Sequence, residues 1–138
     1  MKYFTIGELV KSDIADQYGI NNRCTSEQAG NLKRLIDTVL DPLREAYGKP
    51  INISSGYRCE ELNNHPKIRG SKTSDHLKGM AADIYGTPWT AEENKRLFEL
   101  AQELNLPFDQ LIDENDMRWV HISHRPGINR HEVRKMYH

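Results

Sequence analysis

Ser74-Asp75-His76-Leu77-Lys78-Gly79-Met80-Ala81-Ala82-Asp83 places a histidine and an aspartate on either side of a glycine and small residues. Imidazole nitrogen and carboxylate oxygen are both good zinc ligands. Ala81 to Tyr85 reads as a short strand, and its small side chains let the backbone run close beside a metal. The H-x6-D spacing alone is weak, because 6 histidines and 20 acidic residues offer many chance spacings. A second segment, Trp119-Val120-His121-Ile122-Ser123, adds weight. A histidine inside an apolar strand is more often a hydrogen-bonded core residue than a ligand. Together with His76 and Asp83, however, His121 completes a two-histidine, one-carboxylate set. Three protein ligands of this kind leave the fourth position of a catalytic zinc open to water.

Outward from these segments, the chain alternates helix and strand. Residues 1–24 read as short helical turns and loop, a packing arm without chemistry of its own. Thr25-Ser26-Glu27-Gln28 has the form of a capping box opening a helix. Leu32, Leu35, Ile36, Val39, Leu40 and Leu43 form its apolar stripe, with a kink expected at Pro42 and a stop at Gly48. Ile51 to Ser54 alternates as a strand, Ser55-Gly56-Tyr57-Arg58 turns, and Glu60 to Asn64 fits one short helix. His65 to Ser74 is a loop. Thr90-Ala91-Glu92-Glu93 is a second capping box, ahead of the stripe Leu97, Leu100, Ala101 and Leu104. Phe108 to Asp113 and Trp119 to Ser123 are strand-like runs suited to an antiparallel hairpin. The expectation is one α+β domain over residues 1–138, with a small, mainly antiparallel sheet flanked by helices.

Composition narrows the classes. The formal net charge is -1, with both signs interspersed, so no basic field argues for nucleic acid. No stretch approaches the ~20 apolar residues of a membrane span, so no membrane insertion is expected. Cys24 and Cys59 are too few for a disulfide framework and are expected as reduced thiols, although a bridge between them is open. The N-terminal segment has no long apolar core, so synthesis in the cytoplasm without a signal peptide is expected.

Ser55-Gly56-Tyr57-Arg58, the S-x-H-x-x-G-x-A-x-D element from Ser74 to Asp83, and Trp119-Val120-His121 resemble the zinc peptidases of the M15 family. So do Tyr3-Phe4-Thr5-Ile6, Leu40-Asp41-Pro42-Leu43-Arg44 and Phe108-Asp109-Gln110-Leu111-Ile112, which resemble its small phage-type branch. The family includes D-alanyl-D-alanine carboxypeptidases, related dipeptidases and phage endolysins that cut peptidoglycan stem peptides.

The resemblance implies the M15 fold, shared with hedgehog and D-Ala-D-Ala peptidases, and Zn2+ held by His76, Asp83 and His121. It implies a peptidoglycan stem peptide as substrate, cut by a carboxypeptidase or by an endopeptidase such as an L-alanyl-D-glutamate cutter. It also implies that Arg58 holds a substrate carboxylate or the developing oxyanion. Many relatives carry an acid three residues before the last histidine, and Arg118 stands there instead. The phage-type branch has a glutamate after the F-D-Q-L-I strand, which is Glu114 here. Strand parity agrees: if Asn115 to Arg118 form a four-residue turn, Glu114 pairs with Trp119 and shares a face with His121. A two-residue turn keeps that parity and a three-residue turn breaks it, so Asp113 and Asp116 stay open as alternatives to Glu114.

His65, His124, His131 and His138 have no partner in the pattern and read as surface groups, although His124 sits three residues beyond a presumed ligand. The expected protein is a monomer, of phage or prophage type, acting on the wall after release or as part of a virion. The rival expectation is a non-catalytic, zinc-containing module that binds wall peptides or builds a virion.

Overall fold

The computed structural model describes residues 1–138. Its helices are α1 (Ile6–Val10), α2 (Asp13–Gln17), α3 (Ser26–Leu35), α4 (Asp41–Tyr47), α5 (Glu60–Asn63) and α6 (Ala91–Glu103). Its strands are β1 (Asn52–Ser55), β2 (Ala81–Tyr85), β3 (Gln110–Glu114), β4 (Trp119–Ser123) and β5 (Glu132–Met136). They form one sheet in the order β1-β2-β4-β3-β5. Every neighbouring pair is antiparallel except β3 and β5, which run parallel. The α+β class and mainly antiparallel sheet are as expected; β5 is an addition, because its charged sequence Glu132-Val133-Arg134-Lys135-Met136 lacks a clear apolar alternation.

The Thr25 capping box is complete: Thr25 Oγ1 accepts from Gln28 N at 3.1 Å, and Gln28 Oε1 accepts from Thr25 N at 2.8 Å. Only half of the second box forms. Thr90 Oγ1 accepts from Glu93 N at 3.2 Å, but the Glu93 carboxylate turns to Tyr47 and Lys49 instead. A cation and a phenol outbid the backbone amide for that charge.

The long helical stripe, expected to kink at Pro42, changes its winding there. A π-helical turn over Ile36–Leu40 comes just before it, with Asp41 N donating to Ile36 O. Proline has no N–H to donate and its ring crowds the carbonyl four residues back. One wide turn relieves that crowding, and the stripe continues into α4 with Leu43 fully buried.

Strand alternation divides the sheet into two faces. Ala82, Ile84, Leu111, Val120 and Ile122 are buried in a core that also takes in Leu32, Leu35, Ile36, Leu40 and Leu97 from the helices. Each such side chain contributes about 1.5–3 kcal/mol by leaving water. Asp83, His121, Ile112 and Glu114 fall on the opposite face, because successive strand residues point to opposite sides. The helical layer thus leaves one sheet face free to line a cleft.

Two buried asparagines, outside any motif read from the sequence, fasten loops to this frame. Asn22 donates to Val10 O and Tyr57 O and accepts from Cys59 N. Asn94, on the buried stripe of α6, accepts from Gly86 N and donates to Met117 O and Arg118 O. Both sit among polar neighbours, Asn21 and Arg23 for one and Glu93 and Lys95 for the other, so the sequence does not mark them. Cys24 and Cys59 are both free thiols.

Candidate active site

Asp83 on β2 and His121 on β4 are direct cross-strand partners. Such partners carry their Cβ atoms about 4.5–5.5 Å apart, close enough to share a ligand. His76 arrives from a 3-10 turn, Asp75–Lys78, that leads into β2. Gly79 ends that turn at φ +73°, where a Cβ would come within 2.6 Å of Gln28 O on α3. Only glycine combines that left-handed backbone with so close an approach. The glycine of the motif therefore seats the His76 turn against the capped helix.

A second close approach orients the ring. His76 Nδ1 lies 2.6 Å from Gly56 O. A carbonyl can only accept, so Nδ1 carries the proton and Nε2 presents its lone pair. Gly56 can sit there because it has no Cβ: one would be 2.2 Å from Leu9 O. Tyr57 N donates to the same Leu9 carbonyl at 2.7 Å, and Arg58 N donates to His76 O at 3.1 Å. The N-terminal arm thus props the Ser55-Gly56-Tyr57-Arg58 turn, which in turn holds the histidine.

His76 Nε2 lies 3.3 Å from Asp83 Oδ1, and His121 Nδ1 lies 3.0 Å from the same oxygen. Ligand atoms from all three residues fall within 4.8 Å of one another. Zinc bonds of about 2.0–2.2 Å place the ligand atoms of a tetrahedron roughly 3.3 Å apart, close to both distances. A neutral His76 also points its lone pair at a carboxylate oxygen, a contact that a cation between them turns from repulsive to attractive. The donor set and spacing therefore fit a divalent metal with an open position.

The electrostatics differ from residue to residue. Burial opposes ionisation of Asp83, but the hydrogen bond from His121 helps to hold the carboxyl well below the usual carboxylate range. Burial lowers the His76 pKa despite Asp83, keeping the ring neutral, as a metal ligand must be. His121 is also penalised by burial, but its bond to Asp83 outweighs that and raises its pKa.

The cluster lies in a cavity of about 830 Å³ that is also lined by Arg58 and Glu114. Arg58 donates to Ser74 Oγ at 3.4 Å, but its Nε is buried without a partner. Burial lowers its pKa, with Asp83 acting in the opposite sense. A desolvated cation with a free donor is a ready anion site. Glu114 pairs with Trp119, and the turn between them spans Asn115 to Arg118. Asn115, Asp116 and Met117 all take positive φ, which closes this turn with even parity. Glu114 consequently shares the His121 face. Asp113 faces away and accepts from Met117 N, while Asp116 bonds to Tyr137 and Lys135 on the outside. Arg118 lines a second cavity of about 640 Å³, which shares Arg58, Asp83 and Trp119 with the first. The cleft thus runs past the cluster on both sides.

Of the histidines expected at the surface, His124 is not there, and His138 is exposed yet makes a contact in the cleft. His138 reaches into the cleft, with Nε2 2.5 Å from Glu114 Oε2 and its ring parallel to that of Trp119. The pairing depends on β5, which sequence periodicity does not reveal. His124 is buried, with its backbone N–H bonded to Met80 O. Asp75, beside the His76 ligand position, is buried and paired with Arg125 at 3.3 Å.

No curated protein matches the chain. The family model of peptidase M15 matches residues 2–123. That span holds the capped helix, the Ser55 to Arg58 turn, the His76, Asp83 and His121 cluster, and strands β1 to β4, and the chain belongs to the peptidase M15 family.

Proposed function

We propose that this chain is a zinc-dependent peptidase that hydrolyses peptide bonds in bacterial peptidoglycan stem peptides. One observation carries the reading: three ligand atoms converge within 4.8 Å in a cleft that also holds a guanidinium whose buried Nε has no partner, and a carboxylate. In this reading His76, Asp83 and His121 hold the metal.

When bound, zinc supplies Lewis acidity, drawing electron density from a carbonyl and making a water easier to deprotonate. Glu114 accepts the proton from the attacking water and hands it to the leaving amine. Its place on the His121 face, with Oε2 already hydrogen-bonded to a neighbour, suits that exchange. Arg58 donates to the negative charge that develops on the carbonyl oxygen, or to a substrate carboxylate beside it. The cluster's position between two lobes favours a substrate extending on both sides of the scissile bond, and hence an endopeptidase over a carboxypeptidase. The site draws all of these side chains from one chain, which supports a monomeric, single-domain enzyme. The likeness of several segments to the phage-type branch supports a phage or prophage enzyme that reaches the wall after release or within a virion.

The test is digestion of purified peptidoglycan by zinc-loaded protein, with and without a chelator, followed by mass analysis of the fragments. Chelator-sensitive release of fragments cut within the stem peptide is expected, and the fragment masses name the bond. An intact wall would overturn the reading in favour of a non-catalytic wall-binding module.

A further inference from the structure

The sheet register sets one row of residues across the cleft: Asp83 on β2, His121 on β4, Ile112 on β3 and Arg134 on β5. These positions are directly opposite one another from strand to strand, so their side chains share a face. Arg134 lies two strands from His121. At about 4.8 Å per strand, that is roughly 10 Å from the metal cluster. An extended peptide rises roughly 3.3–3.6 Å per residue, so this distance spans about three residues. Arg134 also lies beyond residue 123, where the family match ends.

The surrounding charge is mainly positive. Arg58, Arg69, Lys78, Arg125, Arg130 and Arg134 line this cavity against only Asp75, Asp83 and Glu114. The whole chain carries a net charge of -1, so the excess of cations is local to the cleft. Arg125 lies against the buried carboxylates of Asp75 and Asp109, at 3.3 and 3.0 Å, and Arg130 bonds to Asp109 at 2.9 Å. Arg134 has a weaker tie. Its only carboxylate neighbour is Glu132 at 3.5 Å, which also contacts Arg130 at 3.7 Å, and its side chain is half exposed. A concave surface with such an excess focuses an attractive field on anions.

We propose that Arg134 forms a carboxylate subsite on β5 that recognises a second free carboxylate of the substrate, two to three residues from the bond that is cut. Arg58 serves a charge beside the bond and cannot also reach one so far along the peptide. The inference rests on the stem-peptide reading above, because such peptides carry several carboxylates along a short chain. Amidation of one of them removes the charge and keeps the shape, so the subsite distinguishes amidated from free-acid walls.

The probes are a pentapeptide stem of L-Ala, γ-linked D-Glu, meso-diaminopimelate and two D-Ala, and two copies of it. In one copy the glutamate α-carboxylate is a carboxamide, and in the other the diaminopimelate side-chain carboxylate is. KM and kcat are measured with zinc-loaded protein, and binding of the three peptides is titrated in parallel. One amidation is expected to raise KM and Kd about fivefold, the effect of a partly exposed ion pair worth about 1 kcal/mol. Arg134→Gln is expected to weaken binding of the free acid to the level of that amide and erase the difference. Lys135→Gln makes the same charge change on the opposite face of β5 and is expected to keep it. Equal KM and Kd for all three peptides on the unaltered protein would overturn the proposal, as would an Arg134→Gln protein that still discriminates. A protein that cuts none of the peptides yet binds the free acid more tightly, through Arg134, would instead overturn the peptidase reading and leave the subsite standing.

Discussion

The metal cluster and the β5 wall occupy one face of one sheet, yet they are built by opposite means. His76, Asp83 and His121 are nearly enclosed, and each is held by a named contact: a backbone carbonyl for His76, two imidazoles for Asp83, a direct cross-strand partner for His121. The wall side chains Arg130 and Arg134 are half exposed; Arg134 is tied by a surface ion pair with Glu132, and Arg130 reaches in to Asp109. Burial raises the cost of any misplaced charge, so the cluster tolerates few arrangements. Exposure lowers that cost, so the wall can vary in charge without disturbing the fold. The buried region therefore limits which chemistry is possible, while the exposed one can change without rebuilding it.

Substitutions break or sharpen this contrast. The largest effect is expected for His121→Ala, which removes a ligand from the enclosed region: zinc content falls well below one per chain by elemental analysis, and peptidoglycan cleavage drops beneath detection. Glu114→Gln comes next. Full zinc content with a loss of about 10²–10⁴-fold in kcat is expected, the usual range for a proton-transfer group. A near-normal kcat would sink Glu114 as the base.

Gly79→Ala tests how tightly the cluster is seated. A left-handed backbone and a Cβ 2.6 Å from Gln28 O together should cost about 2–3 kcal/mol in chemical denaturation, with weaker zinc binding. At the base of the wall, Asp109 is fully buried and takes bonds from Arg130 Nε at 3.1 Å and Arg130 Nη2 at 2.9 Å. Asp109→Asn is expected to cost about 2 kcal/mol.

Asp109 also makes a pH prediction. Arg130 outweighs burial and holds its carboxyl below the usual carboxylate range. A depressed folded-state pKa means that its stabilisation is present above the unfolded value, about pH 4, and is lost as pH falls through the folded value. The unaltered protein should lose stability more steeply than Asp109→Asn in acid melts below about pH 4. Parallel curves would remove Asp109 from the account. The smallest effect is expected for Lys135→Gln, whose ion pair with Asp116 is exposed on both sides; the shift in stability should stay within about 0.5 kcal/mol.

Legibility followed how local the governing interaction is. The Thr25 capping box lies within one turn of chain and forms as read, whereas the Thr90 box fails because Tyr47 and Lys49, far away in sequence, capture Glu93. The pairing of Glu114 with Trp119 was readable from strand parity, since the alternation of side chains is a property of the strand itself. The parallel strand β5 was not, because a charged edge strand lacks the apolar period that marks a buried one. For the same reason His138 and Arg134 gave no sign of reaching the cleft. Asn22 and Asn94 were illegible too, as their partners are backbone groups brought near only by folding.

By itself, the sequence determined the order of the main elements as far as β4, the apolar stripes of the two long helical segments, and a two-histidine, one-carboxylate set with metal-binding chemistry. These follow from residue type and local period. Tertiary structure alone decided that Asp83 and His121 meet across two strands, that Gly56 O fixes the His76 ring, and that Arg134 of β5 and Arg130 ahead of it wall the cleft. Those are long-range pairings, and the hydrogen bonds and packing that select them exist only once distant segments are brought together.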